Sequence, residues 1–75
     1  MRILVTGGAG YIGSVVSAEL LEHGHEVLVY DNLYRGHHDA VPTAATFIHA
    51  DLRDEGSLQM ALHGCDAVIH LAGLS

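Results

Sequence analysis

Ile3, Leu4 and Val5 form an unbroken apolar run of largely branched side chains, and the run stops at a cluster of glycines. A short continuous run of this kind fits a strand buried on both faces, as in a parallel sheet. It predicts a strand over residues 2–6. The period then changes. Ile12, Val15, Val16 and Leu20 recur at spacings of three and four, with Leu21 beside them and Glu19 and Glu22 off the stripe. That is one apolar face of a helix, predicted over 12–23, with Gly24 as a left-handed terminator. Val27, Leu28, Val29 and Tyr30 make a second apolar run that ends at Asp31. Residues 32–45 show no period and contain the only proline, Pro42. A connection that long is usually functional or disordered. Residues 46–49 read as a third strand. Asp54 then reads as an N-cap, with Leu58, Ala61 and Leu62 as an inward stripe and Gly64 as the stop. Residues 67–71 read as a fourth strand that ends at Ala72 and Gly73.

The predicted order is β-α-β-loop-β-α-β. Strands alternating with helices imply an α/β fold with a parallel sheet and helices on its faces. With right-handed crossovers this is the first half of a doubly wound, Rossmann-type sheet of strand order 3-2-1-4. No internal repeat or low-complexity tract interrupts it. In such an order strand four normally pairs with a later strand, so its outer edge is expected to be bare here. A bare apolar edge recruits other chains, and self-association through it is expected.

Composition adds to this picture. The 75 residues are 49% hydrophobic and only 16% charged, against about 25% charged in an ordinary globular domain. A chain of this size buries a small core, so an apolar surface reads as faces meant to be covered by further polypeptide. The net charge is −6, and Arg2, Arg35 and Arg53 are the only basic side chains besides histidine. Three scattered arginines make no stripe for nucleic acid and none for an anionic membrane. The apolar start is far shorter than the roughly 7–15 residues of a secretory signal, and no segment nears the ~18 apolar residues of a membrane span. The expectation is a soluble, cytoplasmic protein. Cys65, the single cysteine, allows no internal disulfide and fits a reducing compartment; it reads as an apolar filler beside a strand. The seven histidines include the pairs His23/His25 and His37/His38, but no set has zinc-type spacing, so no metal site is expected. His70, inside an apolar strand, reads as a core histidine bonded to backbone.

The chemistry concentrates in Thr6-Gly7-Gly8-Ala9-Gly10-Tyr11-Ile12-Gly13. Gly8, Gly10 and Gly13 satisfy G-x-G-x-x-G, and Gly7, Gly10 and Gly13 satisfy G-x-x-G-x-x-G. The strand must turn sharply into the helix, which glycine allows cheaply. The backbone must approach a pyrophosphate without a Cβ in the way, and the N–H groups and positive end of the helix then face the phosphates. A glycine motif alone is weak evidence; here it follows a strand, opens a helix and lies in a βαβ unit. Asp31 ends the second strand about where the fingerprint wants an acid, roughly 20 residues past the glycines, to accept from adenosine ribose hydroxyls. A carboxylate there repels a 2′-phosphate, favouring NAD over NADP, with Arg35 as the counter-indication. Asp51 follows strand three and is open to two readings: an acceptor for the adenine amino group, or a capping residue at the start of the next helix. In open α/β sheets ligands bind beyond the carboxyl ends of the strands, so all these residues are expected on one edge.

Thr6–Gly13, Asp31-Asn32-Leu33, Asp51-Leu52-Arg53-Asp54 and His70-Leu71-Ala72-Gly73 together resemble the extended short-chain dehydrogenase/reductases, and within them the nucleotide-sugar epimerases and dehydratases. The resemblance covers the whole chain. It implies that residues 1–75 are the N-terminal part of an NAD(P)-binding domain. Gly7, Gly10, Tyr11 and Ile12 would meet the NAD pyrophosphate through backbone groups. Asp31, Asn32 and Leu33 would surround the adenosine ribose, Asp51 and Leu52 would border the adenine, and Leu71, Ala72 and Gly73 would line the path to the nicotinamide ribose. Family members move a hydride between a sugar hydroxyl and NAD, using a tyrosine in a Tyr-x-x-x-Lys pair as base. Tyr11, Tyr30 and Tyr34 have no lysine four residues on, and the chain contains no lysine. No catalytic residue is therefore assigned. A nucleotide-sugar substrate is implied only for a complete enzyme, and weak or absent NAD binding is expected of this stretch alone. The alternatives are a stand-alone dinucleotide-binding or sensor module, or a truncated product without function.

Overall fold

A computed structural model describes residues 1–7, 9–32 and 38–71. Strand β1 (Arg2–Thr6) is flanked by β2 (Glu26–Asp31) on one side and β4 (Ala67–His70) on the other, both parallel to it. β3 (Thr46–His49) pairs in parallel with β2, so the order is β3-β2-β1-β4. Helix α1 (Tyr11–Glu22) joins β1 to β2, and α2 (Glu55–Leu62) joins β3 to β4; a short 3-10 turn, His38–Ala40, lies between β2 and β3. This is a Rossmann-like α/β arrangement, with β3 and β4 at the two edges among the described residues.

Successive residues of the two inner strands serve opposite faces. Ile3, Val5, Val27 and Val29 join Ala9 and Val41 in one core, against which Leu20 and Leu21 of α1 pack. Leu4, Leu28 and Tyr30 join Ala61 of α2 in the other, with Leu58 and Cys65 beside them. A strand covered on both sides has no polar face to show, which is why β1 and β2 appear as continuous apolar runs. The predicted elements lie within about one residue of the observed ones, the usual tolerance at element ends. Asp54 caps α2 as expected: its Oδ1 accepts from Ser57 N–H at 3.2 Å and its Oδ2 from the Ser57 hydroxyl at 2.7 Å. The half-buried Cys65 donates to the Ala61 carbonyl at 3.2 Å. No helix among the described residues is long and apolar enough to cross a membrane.

The face of α1 differs from the predicted stripe. Ile12 and Val15 are more than half exposed, at 56% and 53%, and the buried positions are Gly13 and Ser17. Gly13, Ser17, Leu20 and Leu21 form the row that meets the sheet. The cause is distance. α1 starts directly after a tight turn out of β1, so its first two turns lie close to the strands and only small side chains fit beneath them. Larger apolar side chains become useful one turn later, at Leu20.

Ser17 is fully buried, and its hydroxyl has no hydrogen-bond partner among the described residues. A buried hydroxyl without a partner is destabilising. Ser17→Ala is therefore expected to stabilise the fold by about 0.5–1 kcal/mol. Ser17→Leu, which overfills the same space, should destabilise it by about 1–3 kcal/mol. Urea unfolding of the three chains checks both signs.

Candidate functional site at the C-terminal edge of the sheet

The turn out of β1 begins at Gly7, whose φ of 76° places it in the left-handed region that glycine enters without strain. Gly7 N–H donates to the Tyr30 carbonyl at 2.9 Å, pinning the turn to β2. Gly10 N–H closes back on the Gly7 carbonyl at 3.3 Å, and the Gly10 carbonyl accepts from Ser14 N–H at 2.9 Å as the first bond of α1. Gly8 lies outside the described residues.

Gly10 is the N-cap of α1 and has ordinary dihedrals, φ −81° and ψ 175°. A Cβ built there would meet nothing nearer than the Gly7 carbonyl oxygen, at 3.6 Å, an ordinary contact. Among the described residues, neither backbone strain nor crowding demands glycine at this position. The conformational reason for glycine holds at Gly7 and not at Gly10. α1 has no side-chain cap and no acid in its first turn. Among the described residues no side chain satisfies its first N–H groups or its positive end. Tyr11 and Ile12, the first two helical residues, are exposed beside this end.

Asp31 crosses from β2 to the turn. Its Oδ2 accepts from Ala9 N–H at 2.9 Å, a charge-assisted bond. Ala9 has no prominent place in the glycine motif, so this anchor was invisible in the sequence. The Asn32 carbonyl accepts from His49 Nε2 at 3.2 Å. Leu33 lies outside the described residues.

Asp51 lies just past β3. Its carboxylate takes three hydrogen bonds from Arg53: the backbone N–H at 2.9 Å, Nε at 3.2 Å and Nη2 at 3.1 Å. Its carbonyl accepts from the Tyr30 hydroxyl at 2.8 Å and from Asp54 N–H at 3.0 Å. The cap of α2 is Asp54, and Asp51 closes the turn ahead of it. Leu52 is half-buried against the α2-side core. Burial, followed by the charges of Asp54 and Asp51, raises the Tyr30 phenol above its ordinary range.

Leu71 N–H donates to the Thr6 carbonyl at 2.9 Å, which carries the pairing of β4 with β1 one step beyond the strand. Ala72 and Gly73 lie outside the described residues. His70 is not the backbone-bonded core histidine expected: it is exposed, and its Nδ1 lies 2.6 Å from the Thr6 hydroxyl. Thr6 and Gly7, Asp31 and Asn32, Asp51, and His70 and Leu71 thus share the carboxyl edge of the sheet. Among the described residues no group of three or more His, Cys, Asp or Glu could hold a metal ion.

The Arg53 side chain, then its backbone N–H, lowers the Asp51 carboxyl from 3.8 to about 2. A lowered carboxyl favours the fold above its unfolded value, and that contribution fades as pH falls from about 4 toward 2. Both side chains face solvent, so the effect on stability is small, and the direct readout is the titration itself. Carboxyl-carbon NMR should place the Asp51 midpoint near 2, and Arg53→Ala should return it toward the ordinary aspartate value. A midpoint already ordinary in the unsubstituted chain would contradict the clamp.

Residues 3–75 match the family model described as NAD dependent epimerase/dehydratase family. UDP-glucose 4-epimerase of Corynebacterium glutamicum is 47% identical over 75 residues, covering 100% of this chain and 23% of that protein. The Halalkalibacterium halodurans UDP-glucose 4-epimerase is 51% identical over 77 residues, with the same two coverages. Among solved structures, the Thermotoga maritima UDP-glucose 4-epimerase with UDP-glucose superposes with a TM-score of 0.94 at 39% identity, over 100% of this chain and 25% of that one. The Thermus thermophilus UDP-glucose 4-epimerase complex with NAD gives 0.87 at 44% identity, over 96% and 24%. The chain thus spans 23% to 25% of the length of these relatives. With the family matched from residue 3 to residue 75, and with the strand order and glycine turn in place, the chain belongs to the NAD dependent epimerase/dehydratase family.

Proposed function

We propose that this chain is the NAD-binding segment of a nucleotide-sugar epimerase of the UDP-glucose 4-epimerase type, and that residues 1–75 form the N-terminal part of its dinucleotide-binding domain. The observation that carries this is the combination at Gly10: a glycine that neither its own dihedrals nor the described residues around it require, at the start of α1, which no side chain caps. A helix start open in this way favours a phosphate, and a Cβ at Gly10 would occupy the space through which it approaches. The Asp31 carboxylate is tied by one oxygen to the same turn, and an acid at the end of the second strand supports a role in recognising ribose hydroxyls.

In this reading Gly7, Gly10, Tyr11 and Ile12 present backbone groups to the pyrophosphate. Asp31, Asn32 and Leu33 surround the adenosine ribose. Asp51 and Leu52 border the adenine; Asp51 has both oxygens on Arg53, so it shapes that border more than it grips the base. Leu71, Ala72 and Gly73 lead toward the nicotinamide. Bound NAD would supply a hydride acceptor for a sugar hydroxyl. The chain's own part is to orient the dinucleotide and to discriminate against a 2′-phosphate through Asp31.

Amide NMR titration of the chain with ADP-ribose, NAD and NADP tests this. Contacts from this segment alone should give weak binding, with a dissociation constant of about 1 mM, equivalent to roughly −4 kcal/mol. Shifts should cluster at Gly7, Ala9, Gly10, Tyr11 and Asp31, and NADP should bind more weakly than NAD. Gly10→Ala should change unfolding free energy by less than about 1 kcal/mol while weakening ADP-ribose about tenfold, because its methyl obstructs the ligand and not the fold. Equal affinity in the Gly10→Ala chain, or shifts confined to another surface, would refute the proposal.

A further inference from the structure

A side-chain hydrogen bond joins the ends of β1 and β4, and no role described so far uses it. Thr6 Oγ1 and His70 Nδ1 lie 2.6 Å apart, between residues that face each other in the parallel register. Thr6 is only 2% exposed, and among the described residues its hydroxyl has no other partner. Two proton arrangements fit that distance. If Nδ1 carries the ring proton and donates to Oγ1, the threonine O–H is left in a buried place without an acceptor. An unmet buried donor bears its full desolvation cost. If the threonine O–H donates to a bare Nδ1, both groups are satisfied, and the ring proton sits on Nε2.

The location gives this bond its importance. Thr6 is the last residue of β1, and the chain turns left-handed at Gly7 immediately after it. Two main-chain bonds tie down this point: Leu71 N–H to the Thr6 carbonyl on the β4 side, and Gly7 N–H to the Tyr30 carbonyl on the β2 side. Asp31 adds a side-chain tie from β2 to Ala9. The Thr6–His70 bond is its counterpart from β4. Chain order reverses between β2 and β4 across β1, the place where open α/β sheets take their ligands.

We propose that Thr6 and His70 are a positioning pair for the glycine turn. Thr6 O–H donates to Nδ1 of a neutral His70 held in the Nε2–H tautomer, and the tie sets the angle at which the turn leaves β1. The consequence for ligand affinity rests on the turn being the pyrophosphate cradle; the tautomer and the ordering of the turn do not.

The test uses the 75-residue chain, with ring-nitrogen NMR in mildly alkaline buffer and amide hydrogen exchange read side by side. In the unsubstituted chain His70 Nδ1 should resonate as an unprotonated nitrogen and Nε2 as a protonated one. Thr6→Val, which keeps the shape and removes the O–H, should release the ring to a mixture of tautomers. It should speed exchange at Gly7 and Ala9 about tenfold relative to Val29 in the core. Thr6→Ser should restore both. Weakening of ADP-ribose by about threefold should accompany the faster exchange. Three results would each overturn the proposal: a proton on Nδ1 in the unsubstituted chain, an unchanged tautomer in Thr6→Val, or a uniform rise in exchange that includes Val29. If the unsubstituted chain fails to bind ADP-ribose, the cofactor reading falls, and the ring and exchange measurements still decide this one.

Discussion

β1 is enclosed by β2 and β4 within the sheet and by the α1-side and α2-side cores above and below it. The chain can leave such a strand only at its end, and it must then rise onto one face and run back. The reversal begins with a left-handed Gly7 and ends at Gly10, the N-cap of α1. Much else follows from its tightness. It brings the first turns of α1 close to the strands, so Gly13 and Ser17 are buried and Ile12 is not. It also leaves the start of α1 without a side-chain cap at the carboxyl edge of the sheet.

The electrostatics of that edge follow from how few cations the chain carries. The net charge is −6. Among the described arginines, Arg53 is held by Asp51 at 3.1 Å, and Arg2 lies 3.8 Å from Glu26 at the opposite end of the strands. Arg35 lies outside the described residues. In the proposed reading, attraction for a pyrophosphate would come from backbone N–H groups and the helix end, which are fixed in direction and carry no side-chain entropy. Asp31 suits the same scheme. A carboxylate beside the proposed phosphate site would repel its ligand, but one oxygen is engaged by Ala9 N–H, so the charge is drawn toward the backbone of the turn.

The strands and their order were legible because burial on both faces leaves a plain mark: apolar runs without alternation, separated by a helical period. Asp54 was legible as a cap because capping is local, three residues from donor to acceptor. The position of Asp31 at the end of β2 was equally readable. The packed face of α1 was not. Hydrophobicity pointed to Ile12 and Val15, and the distance between helix and sheet selected Gly13 and Ser17 instead.

The remaining gaps share one physical cause. The partners of Ala9 N–H, of the Tyr30 hydroxyl and of the Thr6 hydroxyl lie 22, 21 and 64 residues away along the chain. The sequence alone determined the elements, the glycine turn and the edge on which the chemistry gathers, since each rests on neighbours within a helical turn or a strand. Only the tertiary structure decided which oxygen meets which N–H across the sheet. Those pairings depend on strand register and on the height of a helix above its sheet, and both are set by the packing of all the elements together.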